Sequence, residues 1–454
     1  MLAAMAICGG LIMLDETVVG VALPTLRREL GMTQLTSHWV ISIYMLVFAC
    51  CAAAAGRLGD VVGFRTLLLG GAALFAVGSL GCGLSHSGTV LIVSRAVQGL
   101  GAAAIFPVTV ALIMVSFPQE QRGMAMGTLA AVGTTFLAVG PLVGGFLSEV
   151  VSWRWIFWVN IPVVAAATAI VLVAWTEEPR EQAKQPPDLI GLGTLVGGLT
   201  LLVIAIMQGS NVGWTSWSIL GAFVGGLAFL VVLTFYEYHH DTPLIDVGLF
   251  RSPSFIACNF IVFSGQFAKI TIVVFVALYF QEALGMKPLT AGVALLLAVA
   301  GFPFLSIYAG RLADRTGART LVLTGQAVAT CGMFWIAFSA GLDGLWYVAP
   351  GLVIWGLGMP LVYPPTLRAL ANSVPKEKQG QVGGIGVTFR LLGGTIGAAL
   401  GSAVLLASSS FQSVFLCTGL LMLSCLILGW FAIAADERTK KPTVHHRVRL
   451  WGHS

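Results

Sequence analysis

GRLGDVVGFRTL, residues 56–67, returns little changed as GRLADRTGARTL, residues 310–321, an offset of 254. A second pair, SFPQEQRG (116–123) and SVPKEKQG (373–380), is offset by 257. At that same spacing Gly99-Leu100-Gly101 meets Gly356-Leu357-Gly358, and Phe106-Pro107 meets Tyr363-Pro364. Matches in one order at a nearly constant offset mark an internal duplication, so the chain is expected to build two similar units.

What surrounds the repeat sets the solvent. Of 454 residues, 57% are hydrophobic and 9% charged, with a mean hydropathy of +0.92. Water-soluble chains carry about 25% charged residues, so this one lacks the polar surface water demands. Apolar runs of about 20 residues recur along its length, enough to cross hydrocarbon as helix. The runs are continuous rather than alternating, which excludes a β-barrel. An all-α polytopic membrane protein follows, because a helix satisfies its own backbone in lipid. The first 23 residues lack a basic n-region and are interrupted by acids, so they are expected to be a span and not a signal peptide.

Fourteen spans are expected. Residues 1–175 form an N-terminal six-helix bundle, and 254–434 a C-terminal one. Residues 176–253 hold a linker and two extra spans (189–208 and 217–237), and 435–454 form a basic tail. Loops on one side, with the tail, hold 17 of the Lys and Arg residues, against four on the other. That asymmetry places both termini in the cytoplasm of a cell membrane, bacterial inner or plasma membrane being the natural setting. The tail is expected to rest on anionic lipid. Both halves begin on the same side, so the repeat is parallel, a transporter layout whose site lies near the midplane.

Five charges fall well inside spans: Asp15, Glu16, Arg95, Lys269 and Arg390. At offset 254 Asp15 maps onto Lys269; at 257 Arg95 maps onto Leu352 and Arg390 onto Gly133. The halves therefore differ where they are charged. The eight Cys lie in apolar stretches without metal spacing and are expected to be small buried hydrophobes. His239-His240 and His445-His446 lack a third ligand, so no metal is expected.

With these residues in view, the chain resembles the major facilitator superfamily, specifically its fourteen-span drug/proton antiporter branch. LDETVVGVALP (14–24) resembles that branch's first-span motif, and GRLGDVVGFR the superfamily's loop between spans 2 and 3. LIVSRAVQGLGAA (91–103) resembles the proton-antiporter motif of span 4. GPLVGG (140–145) resembles the antiporter motif of span 5, and SWRWIFWVNIP (152–162) the signature entering span 6. Val61 and Phe64 stand where the loop motif commonly has basic residues, and Gly20 where Asn is frequent in the first-span motif.

An ionised carboxylate at a helix centre costs about 2.5–3.5 kcal/mol on insertion scales. Adjacent residues on a helix point about 100° apart. One of Asp15 and Glu16 therefore faces a central cavity while the other meets a neighbouring helix. Asp15 is expected to be the principal proton carrier, with Glu16 assisting or contacting a cationic substrate; simple capping or pairing is the plainer alternative. The resemblance ties Arg95 to proton coupling, against a plain structural ion pair. Lys269 pairs with Asp15 or Glu16, or binds an anionic group of the substrate, and Arg390 invites the same two readings. All four of Asp15, Glu16, Lys269 and Arg390 are cavity candidates.

Gly56 and Gly63 permit a tight turn in the loop. Asp60 is suited to accept bonds from helix N-terminal N–H groups or from Arg. The resemblance implies a gating latch here, Gly56, Asp60, Gly63 and Arg65 in the first half and Gly310, Asp314, Gly317 and Arg319 in the second. Gly133, Gly140 and Gly144 let span 5 approach a partner closely, and Pro141 permits a bend. Within GPLVGG, Gly140, Pro141, Gly144 and Gly145 carry the packing. Trp153 and Trp155 are expected at the outer interface.

The expected function is a proton-coupled antiporter exporting small amphipathic molecules, a multidrug efflux protein conferring antibiotic resistance and working as a monomer. Export of one endogenous metabolite, symport, or a transport-inactive sensor are the alternatives. No Walker-type loop is present and no His, Ser or Cys set has catalytic spacing, so the reading is not an enzyme. It needs no cofactor beyond the proton gradient and binds lipid, not nucleic acid.

Overall fold

The computed structural model describes residues 2–174, 188–239, 246–286, 288–342, 344–372 and 379–433. The expected linker up to residue 187 and the tail from residue 434 fall outside the described residues. The first half consists of α1 (Leu2–Glu29), α2 (Gln34–Val62), α3 (Phe64–Gly83), α4 (Gly88–Ser116), α5 (Arg122–Phe146) and α6 (Asn160–Ala174). Next come α7 (Leu189–Val212) and α8 (Trp217–His239). The second half consists of α9 (Pro253–Ile270), α10 (Pro288–Val299), α11 (Phe302–Thr316), α12 (Ala318–Ser339), α13 (Leu345–Asn372), α14 (Gln379–Ser408) and α15 (Phe411–Ala432). α10 and α11 share one crossing, Thr290–Thr316.

Among the described residues thirteen helices are long and apolar enough to cross a bilayer; the remaining expected span appears as α7, whose apolar part is the shorter Ile190–Ile206. The fold is all-α, two six-helix bundles with a helix pair inserted between them.

Local chemistry sets the helix ends. The Thr33 hydroxyl accepts from the Thr36 N–H, and the Ser87 hydroxyl from the Val90 N–H. Ser252 caps α9, with Pro253 at its first turn. Gly63 between α2 and α3 has φ 95°, and its repeat mate Gly317 between α11 and α12 has φ 88°. A side chain resists that conformation, which is why both copies keep glycine there. Gly56 and Gly310 are not turn residues; each lies within its helix.

The duplication becomes a pseudo-two-fold pairing. α2 packs along α14, and α5 along α11, giving two equivalent seams between the halves. A Cβ at Gly56 would overlap the Gly380 carbonyl, and one at Gly310 the Gly123 carbonyl. Farther along, Gly384 meets the Ala52 carbonyl and Gly127 the Ser306 carbonyl. Backbone therefore lies on backbone at both seams, which only glycine permits. α7 and α8 pack on each other, and α7 also touches α2 and α14, so the inserted pair flanks one seam.

Two expectations need correction. Trp153 is fully buried, its indole Nε1 donating to Glu29 at 2.8 Å while Arg154 stacks on the ring at 4.4 Å. It locks the short loop before α6 onto the end of α1, because its N–H needs a partner once buried; Trp155 is exposed. Of the cysteines, Cys331 and Cys417 are exposed and the other six are wholly or partly buried. Among the described residues no group of His, Cys, Asp or Glu could hold a metal.

Candidate functional site

Inside the first half, Asp15 of α1 is fully buried. Its carboxylate receives the Arg95 guanidinium of α4 at 2.5 Å, the Gln98 amide at 3.1 Å and the Asn160 amide of α6 at 3.2 Å. Arg95 is fully buried as well. Its Nε donates to the Val40 carbonyl of α2 at 3.0 Å, its Nη1 also to Gln98 at 2.7 Å, and the Tyr44 ring lies 4.2 Å below the guanidinium carbon. Side chains from α4 and α6 thus converge on one carboxylate of α1. A buried charge pair is stable only with such added hydrogen bonds. Removing one partner of a buried pair costs about 3–5 kcal/mol.

Between the halves lies a cavity of about 590 Å³, walled by α1, α2, α5, α9 and α14 and lined by Glu16, Gln266 and Lys269 among mostly apolar residues. Its lining on α14 runs from Leu391 to Ser402, away from the end that meets α2. A smaller cavity of about 60 Å³ adjoins it, sharing Leu137, Gln266 and Lys269 and adding Arg390, Tyr363 and Trp355. Arg390 is ten residues beyond Gly380, so about 15 Å along the helix from the seam. That is near the middle of the bilayer.

Glu16 belongs to this space. Its carboxylate accepts from Arg390 Nη2 at 3.0 Å, an ion pair joining α1 of one half to α14 of the other. Asp15 lines neither cavity, so the expectation that it is a cavity residue is corrected: adjacent helix positions diverge, and Asp15 took the neighbouring helix while Glu16 took the cavity. Lys269 lines both cavities, and among the described residues no carboxylate lies at ion-pair distance from it. The expected pairing of Lys269 with Asp15 or Glu16 is absent here; Arg390 has taken Glu16. Immediately after Lys269, at Thr271–Val276, the helix widens to π geometry, a distortion often found at functional sites.

Opposite the cavity, the seams carry matched polar contacts. Asp60, near the end of α2, accepts the Gly380 and Gln381 N–H groups at the start of α14, at 3.0 and 2.8 Å. Asp314, near the end of α11, accepts the Gly123 and Met124 N–H groups at the start of α5, at 2.8 and 2.9 Å. The first N–H groups of a helix have no partner within it, and a carboxylate satisfies them while meeting the positive end of the dipole. Asp314 also receives Arg368 at 3.1 Å, and Arg122 donates to Asn372 at 3.0 Å. Arg65 lies partly exposed and Arg319 donates to the Trp430 carbonyl at 3.0 Å; among the described residues neither bonds to these seam groups.

The span 5 motif packs directly beside the acids. A Cβ at Gly140 would strike the Thr17 hydroxyl and one at Gly144 the Val18 carbonyl, while Thr17 donates to the Leu137 carbonyl at 3.1 Å. Gly145 is half-buried; the Pro141 side chain lies outside the described ones. The second half repeats this with Gly393 against the Phe263 carbonyl and Gly397 against Phe267. Sequence reasoning passed over that second glycine row, and also Gln98, Asn160 and Gln266. Gln98 had a signal, being one helical turn after Arg95 on the same face. Asn160 had only its polarity.

Comparison with known proteins agrees with this architecture. The Major Facilitator Superfamily model matches residues 5–385 and 256–452. The methylenomycin A resistance protein of Streptomyces coelicolor is 30% identical over 96% of this chain and 93% of its own. The multidrug resistance protein Stp of Mycobacterium tuberculosis is 31% identical over 87% of this chain and 74% of its own. The solved proton:xylose symporter XylE superposes with a TM-score of 0.67 over 95% of both chains, at 13% identity, a likeness of fold alone.

Proposed function

Because the chain belongs to the Major Facilitator Superfamily, and is thus a multi-pass membrane transporter, we propose that it is a proton-coupled antiporter of the fourteen-span branch. In this reading it exports small amphipathic compounds, drugs included, by alternating access. The observation that carries it is a pair of closed seams on one side opposite an open cavity on the other, with ionisable groups about midway. Alternating access requires such a state and its inverse. Positive-inside asymmetry supports cytoplasmic seams and termini, and with them an outward-facing cavity. The names of the two relatives, multidrug resistance and methylenomycin A resistance, support a drug as cargo. A bound cofactor and a second subunit are not needed in this scheme.

Asp15 is the proton carrier. In the outward state it is sealed beside Arg95, so a proton arriving through the cavity meets Glu16 first. Protonation of Asp15 removes its attraction for Arg95, which keeps the Val40 carbonyl, Gln98 and the Tyr44 ring as anchors. The arginine therefore stays put while the α1 side of the pair is released, and α1 is free to shift against α4 within the first bundle. Asp60 and Asp314 hold the cytoplasmic seams in one state and let go of their helix N-termini in the other.

The test is a susceptibility screen, followed by dye flux in vesicles with an imposed pH gradient, on the intact protein and on Asp15→Asn. The intact protein should export with the gradient, and the variant should lose at least about tenfold, as expected for a lost coupling group. Undiminished gradient-driven export by Asp15→Asn would remove Asp15 from this role. Absence of gradient-dependent flux in the intact protein would end the antiport reading.

A further inference from the structure

The charges facing the central space do not balance. Lys269 and Arg390 both line the smaller cavity, and Lys269 the larger one too. Glu16 is the single acid among the described lining residues of either. Its carboxylate already receives Arg390 Nη2, whereas Arg390 Nε and Nη1, both buried, have no acceptor among the described residues, the guanidinium lying 5.0 Å from the Phe106 ring. The Lys269 ammonium has no carboxylate at ion-pair distance among the described residues. Among the described lining residues two cations thus stand against one acid, in an otherwise apolar chamber.

A charge without a partner in such surroundings demands one. Water satisfies it while the chamber is open to the outside, but closure would strip that water away. A second cation entering beside Lys269 would meet like charge at low dielectric, an unfavourable contact whose strength grows as water leaves. A monoanion would instead neutralise the site and supply an acceptor to the idle donors.

We infer that the chamber between the halves takes an amphipathic anion, a carboxylate or similar single negative charge on an apolar body, anchored by Lys269 and Arg390. Gln266, which lines both cavities between them, offers a neutral hydrogen bond to the same group. Met359, Trp355 and Phe302 receive the apolar body on one side, and Ile270, Val273 and Leu391 on the other. This deepens the exporter reading, on which its role as transport cargo rests, by naming the substrate class of the same site. It takes up the anionic alternative that Lys269 and Arg390 offered in the sequence, rather than a cationic substrate at Glu16.

Binding to the purified full-length protein, measured by isothermal titration calorimetry without any gradient, separates this claim from proton coupling. The probes are 1-naphthylacetate and 1-naphthylmethylammonium, which share an apolar body and differ in charge. The acetate should bind at least about tenfold more tightly than the ammonium. Lys269→Gln should weaken the acetate about tenfold without weakening the ammonium, and Lys269→Arg, which keeps the charge, should restore the acetate to within about threefold of the intact protein. Equal or tighter binding of the ammonium, no binding of the acetate, or unchanged acetate affinity in a folded Lys269→Gln would each overturn the inference. Should Lys269→Gln misfold, the acid-versus-amine ratio in the intact protein and in Lys269→Arg still decides. Acetate binding without gradient-driven flux would leave this inference standing and defeat antiport; the reverse result would do the opposite.

Discussion

Asp60 and Asp314 occupy equivalent places in the two halves and make equivalent bonds; Asp15 and Lys269, equally equivalent in sequence, do not. The seams are built twice, carboxylate on helix N-terminus and glycine on glycine. The charged centre is built once. Its buried acid and arginine sit inside the first half, while the second half presents Lys269 and the Glu16-paired Arg390 to the cavity. A duplicated closing device with a single-copy charge system suits a molecule whose halves must move alike but whose chemistry is directional.

The charge system gives the sharpest way to break that comparison. Arg95→Lys keeps a positive charge but loses the planar fork that bonds Asp15, Gln98 and the Val40 carbonyl together. Gradient-driven export should fall at least about tenfold, because several charge-assisted bonds of about 1.5–3 kcal/mol are lost or distorted. Leu352→Arg, which puts an arginine at the equivalent place of the second half, should not restore it. Vesicle flux measures both, and restoration would mean that the halves are interchangeable.

The seams come next. Gly56→Val and Gly310→Val each push a side chain into the partner backbone. Overpacking of this kind costs about 1–3 kcal/mol, here charged to the closed-seam state. Both should shift spin–spin distances between the seam ends of α2 and α14, or of α5 and α11, toward longer values. Similar shifts from the two variants would support equivalence of the seams, and a shift from only one would break it.

Smaller effects lie in the scaffold. Thr17→Val removes the hydroxyl that donates to the Leu137 carbonyl between α1 and α5, and about 0.5–1.5 kcal/mol of stability should go with it. Arg154→Ala removes a partly exposed pair with Glu29, a bond to the Ser85 carbonyl and the stacking on Trp153, and its cost should be about 1 kcal/mol. Thermal denaturation in detergent ranks the two.

Much of the fold was legible because duplication writes itself into sequence twice. The seam residues 56, 60, 123, 310, 314 and 380 all lie within the repeated segments that first revealed two halves. The contacts were less legible, for a geometric reason. Residues related by the offset sit at equivalent depths about a pseudo-two-fold axis, and they touch the mates of other elements rather than each other. Asp60 meets Gly380, the copy of Gly123, and not Asp314. The same logic misled the pairing of Lys269 with Asp15. Arg390, which has no charged counterpart in the first half, pairs with Glu16 instead. Asn160 was invisible because one neutral amide in an apolar run looks the same whether it solvates a carboxylate or merely sits near an interface.

The most direct test is proton movement itself, followed with a pH indicator trapped in proteoliposomes that start with no pH difference. A substrate gradient imposed across the intact protein should drive protons the opposite way. The same gradient across Asp15→Asn should move substrate, if at all, without any change in luminal pH. Proton movement in Asp15→Asn equal to that of the intact protein would contradict the account.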